Sequence, residues 1–170
     1  MKRTLTKFVS CLAFHNMADL TEQSIVILTG AGISKESGLD TFRDADGIWS
    51  KVRIEDVATP DAFRRDRSGV QEFYNARRQQ LVNSNVTPNS AHKALANLED
   101  NWPGLVTIVT QNIDDLHEAA GSKNLIHMHG ELLKARCLSC HDTHPWRKDL
   151  DRGETWPTCS HTCTLRPHVV

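Results

Sequence analysis

The sequence lacks long apolar runs and an excess of charge of either sign. No apolar stretch among the 170 residues approaches the roughly 20 that a membrane-spanning helix needs. The net charge is −1 and the pI about 6.7, which gives no electrostatic footprint for nucleic acid or for an anionic membrane. Aromatic residues are also scarce. We therefore expect neither a membrane nor a nucleic acid as a partner.

A clear secretory signal is missing as well. Basic residues precede a short apolar run at residues 8–14, but the run is interrupted and no small-residue cleavage site is evident. Met17 is an alternative start. We therefore expect a cytoplasmic protein. With 39% hydrophobic and 24% charged residues, the chain fits one globular domain, or one domain with a small insert.

The first glycine-rich turn, residues 30–34 (Gly-Ala-Gly-Ile-Ser), belongs to neither common nucleotide-binding motif. The dehydrogenase fingerprint has glycine or alanine where Lys35 stands, and no Gly-Lys-Ser/Thr triplet of a P-loop follows. The turn follows an apolar run, Ser24–Thr29, which predicts a strand covered on both faces. Such a turn lets backbone amides approach a phosphate closely. A tight strand-to-helix turn without a ligand is the alternative.

Polar side chains follow a second predicted strand, residues 105–109. This strand ends in amides and carboxylates at Gln111, Asn112, Asp114 and Asp115, where open α/β sheets bind ligands. A third apolar piece, residues 125–126, leads into a His-Met-His-Gly segment at 127–130. Together these strand ends predict a catalytic rim. The alternative is that the polar residues only cap a helix.

Residues 54–98 read as mostly helical. Helical spacing places Val70, Phe73, Ala76 or Arg77, and Gln80 or Leu81 along one stripe, and residues 88–90 are expected to cap a helix over 91–98. Tyr74 and Arg77 are three positions apart and so lie on one face, where they could hold a small carboxylate. A surface arginine beside an interfacial tyrosine is the alternative.

Four of the five cysteines cluster near the end of the sequence, as Cys137-x2-Cys140 and Cys159-x3-Cys163. In a cytosolic chain this spacing indicates a structural zinc ribbon rather than disulfides. The second pair has one residue more than the usual knuckle, so a Cys3His site that uses His161 is a second possibility. Reduced, metal-free cysteines are a third.

Three separate motifs resemble the signatures of the sirtuin family. The first spans residues 30–49 and includes the glycine turn, Thr-Phe-Arg-Asp at 41–44 and Gly-Ile-Trp at 47–49. The second is Gln-Asn-Ile-Asp at 111–114, and the third is the His129-Gly130 pair. They occur in the family's order. Asp40 departs from the family pattern, which often has proline at that position.

The resemblance implies a role for each matching residue. Ala31, Gly32 and Ser34 would line the pyrophosphate side of NAD, Phe42 and Arg43 would lie on a loop over the nicotinamide ribose, and His129 would be the general base with Asn112 as its catalytic companion. His127 has no matching role and is expected to be structural. The full NAD-binding set is Gly30, Ala31, Gly32, Ser34, Thr41, Phe42, Arg43, Trp49, Gln111, Asn112, Ile113 and Asp114.

The resemblance also implies the reaction. Sirtuins use NAD to remove acyl groups from lysines of acylated proteins, giving nicotinamide and O-acyl-ADP-ribose. The acyl oxygen attacks the nicotinamide-bearing ribose carbon, and His129 then takes a proton from a ribose hydroxyl, for which an imidazole is suited. The pair Tyr74 and Arg77 looks like the mark of the subgroup that removes succinyl and malonyl groups. The alternative function is an inactive remnant that acts only as a zinc-ribbon or nucleotide-binding protein.

The expected fold class is α/β, with the first half of a Rossmann-like parallel sheet, a helical insert and a small zinc-ribbon module. The expected parts are an N-terminal extension at 1–23, the NAD-binding part at 24–132 with its insert at 54–98, and the zinc ribbon at 133–163. Residues 164–170 resemble a strand that returns to the main sheet. Because sirtuins continue beyond this point, we expect the 170-residue chain alone to deacylate very slowly or not at all.

Overall fold

The computed structural model describes residues 23–41, 52–151, 154, 159 and 164–170. This part of the chain contains six strands and six α-helices, which confirms the predicted α/β class. None of the described helices is long and apolar enough to cross a membrane. In chain order the elements are β1 (Ser24–Thr29), α1 (Ala31–Ser34), a 3-10 turn (Lys35–Ser37), α2 (Ile54–Val57), α3 (Pro60–Arg65), α4 (Arg67–Asn83), α5 (Ser90–Asn101), β2 (Leu105–Thr110), α6 (Leu116–Ala120), β3 (Leu125–His127), β4 (Gly130–Cys137), β5 (Thr143–Pro145) and β6 (Leu165–Val169).

The first three strands form a parallel sheet in the order β1-β2-β3. Their register aligns Thr29 with Thr110, and Thr110 with His127, so all three strands end at the same edge. The glycine turn, the Gln-Asn-Ile-Asp loop and the His-Met-His-Gly segment therefore leave the sheet side by side. This is the edge at which open α/β sheets bind ligands.

One face of the parallel sheet is open to solvent in the described part of the chain. Val26 and Leu28 of β1 are 69% and 63% exposed, and Leu105 and Ile126 are each 54% exposed. On the opposite face, β2 packs beneath α5 and its Ile108 is fully buried. The prediction that β1 is covered on both faces is wrong for this structure, because the described helices pack against one face only.

The helical insert packs its apolar stripe against strands of a second sheet. Asp66 caps the long helix α4 by accepting a hydrogen bond from the amide of Gly69 at 3.0 Å. The predicted stripe is confirmed at Val70, Phe73 and Leu81, but Ala76 is exposed. The core that this helix shares with its neighbours consists of Val57, Ala62, Phe63, Val70, Phe73, Tyr74, Leu81, Leu132 and Val169.

Arg78 is buried on the same helix, which the apolar pattern did not predict. Its Nε donates to the carbonyl oxygen of Leu132 at 3.2 Å, and its Nη1 donates to Oδ1 of Asn75 at 2.7 Å. A guanidinium group is tolerated in the core only where it finds such acceptors. Arg78 thereby fastens α4 to β4.

The cap of α5 agrees with the sequence prediction. The side chain of Asn89 accepts hydrogen bonds from the amides of Ala91 at 2.9 Å and His92 at 3.4 Å. Its Nδ2 also donates to the carbonyl of Ile33 at 2.7 Å. The helix runs to Asn101, three residues beyond the predicted end, and its cap holds the glycine turn in place.

The second sheet is antiparallel, with strand order β5-β4-β6. β6 hydrogen-bonds to β4 over its whole length, so this strand belongs to the cysteine-bearing sheet and does not return to the parallel one. A small core fills the sheet: Ala135, Cys137, Trp146, Leu150 and Leu165. Asn75 of α4 bonds both the amide and the carbonyl of Leu150, at 2.9 and 3.2 Å, which joins this core to the helical insert.

Candidate active site

A cavity of about 380 Å³ lies at the shared edge of the parallel sheet, between the glycine turn and α4. It brings together the motifs that the sequence keeps far apart: the turn after β1, the loop after β2, the imidazole after β3 and the Tyr74–Arg77 pair. Its lining is mostly apolar, with a few convergent polar groups, as is typical of a small-molecule site. The predicted site residues that line it are Ala31, Ser34, Tyr74, Arg77, Gln111, Asn112, Ile113, Asp114 and His129.

Some predicted residues do not line the cavity. Gly30 and Gly32 form the turn itself and Thr41 lies farther along the chain, and none of the three is among the lining residues. Phe42, Arg43 and Trp49 lie outside the described residues. Their predicted contacts with NAD therefore stay predictions.

The glycine turn is a tight strand-to-helix connection. Gly30 directly precedes α1, and its carbonyl accepts from the amide of Ile33 at 3.0 Å. A Cβ added to Gly30 would lie 3.8 Å from Oε1 of Gln111, which is ordinary van der Waals contact. The local backbone is thus well described by the alternative prediction of a tight strand-to-helix turn. The turn matters to the site because it delivers Ser34 to the base of the cavity.

Ser34, Asn112 and Asp114 form a buried hydrogen-bonded network. Nδ2 of Asn112 donates to Oγ of Ser34 at 2.9 Å, and that hydroxyl donates to Oδ2 of Asp114 at 3.0 Å. Burial raises the pKa of Asp114, although bonds from the amide of Leu116 and from Ser34 oppose this. All three residues are less than 10% exposed, so the network holds one arrangement of amide, hydroxyl and carboxyl groups against the cavity.

The helix-capping alternative is also partly right. Oδ1 of Asp114 accepts from the amide of Leu116 at 3.2 Å, at the start of α6. Asp115 occupies the formal cap position but makes no capping bond with its side chain. Instead it accepts a hydrogen bond from Nη2 of Arg147 at 3.0 Å. Asp114 therefore serves the helix with one oxygen and the site network with the other.

His129 lines the cavity with a ring whose orientation the backbone fixes. Its Nδ1 lies 2.9 Å from the carbonyl oxygen of Gln111, and since a carbonyl can only accept, Nδ1 carries the proton. Nε2 is then the nitrogen with a free lone pair, on a ring that lines the cavity. Gly130 follows with φ of 83°, and a Cβ there would overlap the backbone carbonyl of His168. Only glycine permits this approach of β4 to β6.

Tyr74 and Arg77 meet at the wall of the cavity that α4 provides. Tyr74 is 3% exposed, and burial raises the pKa of its phenol to about 12, so it is a neutral hydrogen-bonding group. Nη2 of Arg77 is buried and has no hydrogen-bond partner among the described residues. Burial lowers the pKa of Arg77, against the opposing effect of Asp40, which lines the same cavity. The arginine therefore offers an unused donor to an anion.

Three of the predicted cysteine ligands lie together at the end of β4. Sγ of Cys159 lies 3.8 Å from Sγ of Cys137 and 3.8 Å from Sγ of Cys140. Zn–S bonds of about 2.3 Å in a tetrahedron place two sulfur atoms about 3.8 Å apart, so the spacing fits zinc. The amide of Ser139 also points at Sγ of Cys137, at 3.3 Å. Cys163 and the alternative ligand His161 lie outside the described residues.

Comparison with known proteins decides the family. The sequence model of the Sir2 family matches residues 30–170. The chain belongs to the Sir2 family, the sirtuins. It is 53% identical over 151 residues to an NAD-dependent protein deacylase of Vibrio cholerae, covering 89% of this chain and 61% of that protein.

Solved Sir2 structures share the fold. A Sir2 homolog–NAD complex is 43% identical, with a TM-score of 0.72 over 87% of this chain and 57% of that one. A Sir2 complex with a deacetylated p53 peptide and 3′-O-acetyl ADP ribose is 30% identical, with a TM-score of 0.67 over 87% and 60%. The chain thus spans about 60% of the length of the curated relatives it matches.

Two histidines behind this Sir2 site make contacts that the sequence did not predict. Nε2 of His117 lies 3.0 Å from Oγ1 of Thr29, and burial, together with the nearby His92, lowers the pKa of His117 to about 4. His127, expected to be structural, contacts both the carbonyl of Asn112 and the carboxylate of Glu118. The only sequence feature that pointed to these histidines was their position in the same motif-rich stretch. Sequence spacing does not show which histidine at a strand end faces inward.

Proposed function

We propose that this protein carries the nicotinamide side and the general base of an NAD-dependent lysine deacylase. The observation that supports this most is the convergence of His129, the Ser34–Asn112–Asp114 network and the Tyr74–Arg77 pair on one cavity. Membership of the Sir2 family and identity above 50% to curated NAD-dependent deacylases point to the same reaction. Its substrates would be proteins with acylated lysines.

NAD is consumed as a co-substrate. Its ADP-ribosyl part accepts the acyl group, and its nicotinamide is released. Gln111, Asn112 and Asp114 are the residues proposed to hold its ribose and carboxamide, since amide and carboxyl groups bind hydroxyls and amides well. His129 is proposed to take a proton from a ribose hydroxyl at Nε2, the nitrogen that the Gln111 carbonyl leaves free. The apolar lining would exclude water from this step.

An acidic acyl group is the proposed substrate class within this reaction. Tyr74 and Arg77 face the cavity together, and Nη2 of Arg77 lacks a partner among the described residues. A succinyl or malonyl carboxylate would supply that partner through a charge-assisted hydrogen bond. Acetyl-lysine offers no such group, so it should be turned over less efficiently.

A structural zinc ion is proposed for the cysteine cluster. Cys137, Cys140 and Cys159 already have the sulfur spacing of a tetrahedral site, and Cys163 is the proposed fourth ligand. Four protein ligands leave no open position, so the ion would stabilise the antiparallel sheet and take no part in catalysis. The cytoplasmic location stays a prediction from sequence.

The test is an assay of the 170-residue chain with NAD and matched peptides that carry succinyl-, malonyl- or acetyl-lysine. Mass spectrometry should detect nicotinamide and O-acyl-ADP-ribose, both dependent on the acylated peptide. An Asn112→Ala variant should form neither product, because the network loses its amide. NAD binding without any product at stoichiometric enzyme would instead favour a nucleotide-binding remnant.

A further inference from the structure

His127 and His129 hold two successive carbonyl groups of the loop that follows β2. Nδ1 of His129 lies 2.9 Å from the carbonyl of Gln111, and Nδ1 of His127 lies 3.0 Å from that of Asn112. Because a carbonyl only accepts, each Nδ1 carries a proton. The rings differ at Nε2: His129 lines the cavity, whereas Nε2 of His127 faces away from it, toward Glu118 at 2.8 Å.

The contacts of His127 favour a charged ring. Both of its partners accept: the carbonyl of Asn112 at Nδ1 and the carboxylate of Glu118 at Nε2. Burial opposes the charge on His127, but the hydrogen bonds to Glu118 and Asn112 outweigh it and raise the pKa of the imidazole. Burial likewise opposes the charge on Glu118, yet contact with His127 lowers the pKa of this carboxyl.

The other charged and titratable groups around His127 act in known directions. Glu131 of β4 raises the pKa of His127, and Glu131 is itself paired with Lys134 at 2.7 Å. Burial and, to a smaller extent, a charged His127 lower the pKa of His117 of α6 to about 4, which leaves His117 neutral near pH 7. The imidazolium form of His127 is therefore consistent with every element packed against it.

Asn112 is held from two sides. Its Nδ2 donates to Ser34 on the cavity side, at 2.9 Å, and its backbone amide donates to Oγ1 of Thr110 at 3.1 Å. Its carbonyl is held by His127, which is 8% exposed at the side chain. The orientation of the amide in the site thus depends on a bond made outside the cavity.

We propose that His127 is a positioning residue for deacylation: its charged ring bridges the Asn112 carbonyl and Glu118, and so fixes Asn112 in the active site. This inference rests on the proposed function, because positioning matters only if Asn112 binds the co-substrate. Loss of the Nε2 proton would leave a lone pair facing the Glu118 carboxylate, and the repulsion would release the Asn112 loop. His127 therefore makes the site sensitive to alkaline pH.

The alkaline limb of the pH profile of kcat should report the titration of His127. His127 must be charged to hold Asn112, so its titration sets the alkaline limb. Glu118→Gln keeps an acceptor for Nε2 but removes the negative charge that raises the pKa of His127. This variant should move the alkaline limb to lower pH.

Two isosteric substitutions separate the contacts of His127. His127→Asn places an amide nitrogen near the position of Nδ1, so it keeps the bond to Asn112, loses Glu118 and cannot titrate. It should retain most of the kcat at pH 7 and lose the alkaline limb. His127→Gln places its amide nitrogen near the position of Nε2, so it keeps the hydrogen bond to Glu118 and loses the one to Asn112. It should lower kcat by about tenfold and leave the peptide KM nearly unchanged. Equal loss in both variants would overturn the proposal.

Nuclear magnetic resonance tests the proposal without activity. In the 170-residue chain with labelled histidine and asparagine, both ring nitrogens of His127 should be protonated at pH 6, below the ordinary histidine pKa, which, against the effect of burial, its partners raise here. The side-chain amide of Asn112 should shift along with the titration of His127, and Glu118→Gln should lower that midpoint. A neutral His127 at pH 6, or Asn112 signals that do not change during the titration of His127, would overturn the positioning role.

The two readouts separate this inference from the proposed function. If the chain shows no deacylation while Asn112 follows His127 by resonance, the proposed reaction fails and the structural coupling stands. If deacylation occurs but its alkaline limb is unchanged in Glu118→Gln, the reaction stands and the positioning role fails.

Glu118, His127 and Glu131 offer ligand atoms within 4.8 Å of one another, so all assays omit added divalent metal.

Discussion

The guanidinium group of Arg77 lies over the ring of Phe73, with Cζ 4.6 Å from the ring centroid. The two residues lie one turn apart on α4, and the stacking holds the arginine against the cavity wall beside Tyr74. Stacking satisfies the flat face of a guanidinium and leaves its edge free to donate. The unpaired edge of Arg77 is therefore available to an acidic ligand.

Arg77→Met should impair succinyl-lysine turnover much more than acetyl-lysine turnover. The variant keeps a flexible apolar side chain over Phe73 but loses the charge-assisted bond to a carboxylate. Such a bond is worth about 1.5–3 kcal/mol, which corresponds to a loss of roughly 10- to 150-fold in kcat/KM for the succinyl peptide. Tyr74→Phe is the matched control for loss of one neutral donor. Equal losses on both peptides would show that Arg77 supports the fold only.

Asp114→Asn should stabilise the protein at neutral pH and impair its site. Burial raises the pKa of Asp114, so the folded state binds this proton more tightly than the unfolded chain does. Stability therefore falls as pH rises from the ordinary value of 3.8 through the raised pKa, and stays lower above it. The Tm gain of the variant should be full at pH 7 and vanish below pH 3.8.

Asp115→Asn is the control for this stability change. The neighbouring Asp115 carboxylate is paired with Arg147 at 3.0 Å, so neutralising it should bring no gain in Tm at pH 7. Turnover should fall about tenfold in Asp114→Asn, because the acceptor that orients Ser34 is weakened. A lower Tm for Asp114→Asn at pH 7 would contradict the assignment of a burial penalty.

Purified protein should contain one zinc ion per chain. The sulfur spacing of 3.8 Å around Cys159 matches tetrahedral coordination, and a segment this small depends on metal for its stability. Cys137→Ala should lose the metal and lower the Tm, whereas Ser139→Ala in the same turn should keep both. A zinc content near zero in carefully handled protein would contradict this account. Metal retained in Cys163→Ala but lost in His161→Ala would make the ligand set Cys3His.

The open face of the parallel sheet should drive self-association of the 170-residue chain. Val26 and Leu28 are 69% and 63% exposed and lie on one face of the edge strand β1. Apolar faces and strand edges of this kind promote association. Light scattering should show oligomers that Leu28→Lys reduces. Val82→Lys, at an exposed apolar position on α4, should leave them unchanged. A monomer at every concentration would rule this out.

The strands and the site were predictable to different degrees. β-Branched runs gave β1 and β2 nearly to the residue, because an apolar strand followed by glycine or amides is a strong local signal. The openness of one sheet face was not predictable, since apolar residues at Val26 and Leu28 look the same whether or not a layer covers them. Whether another layer packs on this face of the sheet depends on tertiary structure.

The residues that line the cavity were easier to predict than the residues that hold them in place. His129 and Asn112 follow from the resemblance to sirtuin motifs, and the structure places both at the cavity. The bond from His127 to Asn112 depends on the register of β3 against β2, which sequence spacing does not fix. The burial of Arg78 likewise depends on the acceptors that β4 and Asn75 supply.

Single-turnover chemistry with His129→Ala tests the central claim most directly. Wild-type chain in excess over succinyl-lysine peptide, with saturating NAD, should form O-acyl-ADP-ribose at a rate well below the ~1 s⁻¹ of an ordinary enzyme. His129→Ala should still exchange labelled nicotinamide into NAD, since that step precedes proton removal, and should form no O-acyl-ADP-ribose. Equal product formation by the wild-type chain and by His129→Ala would contradict the assignment of this site.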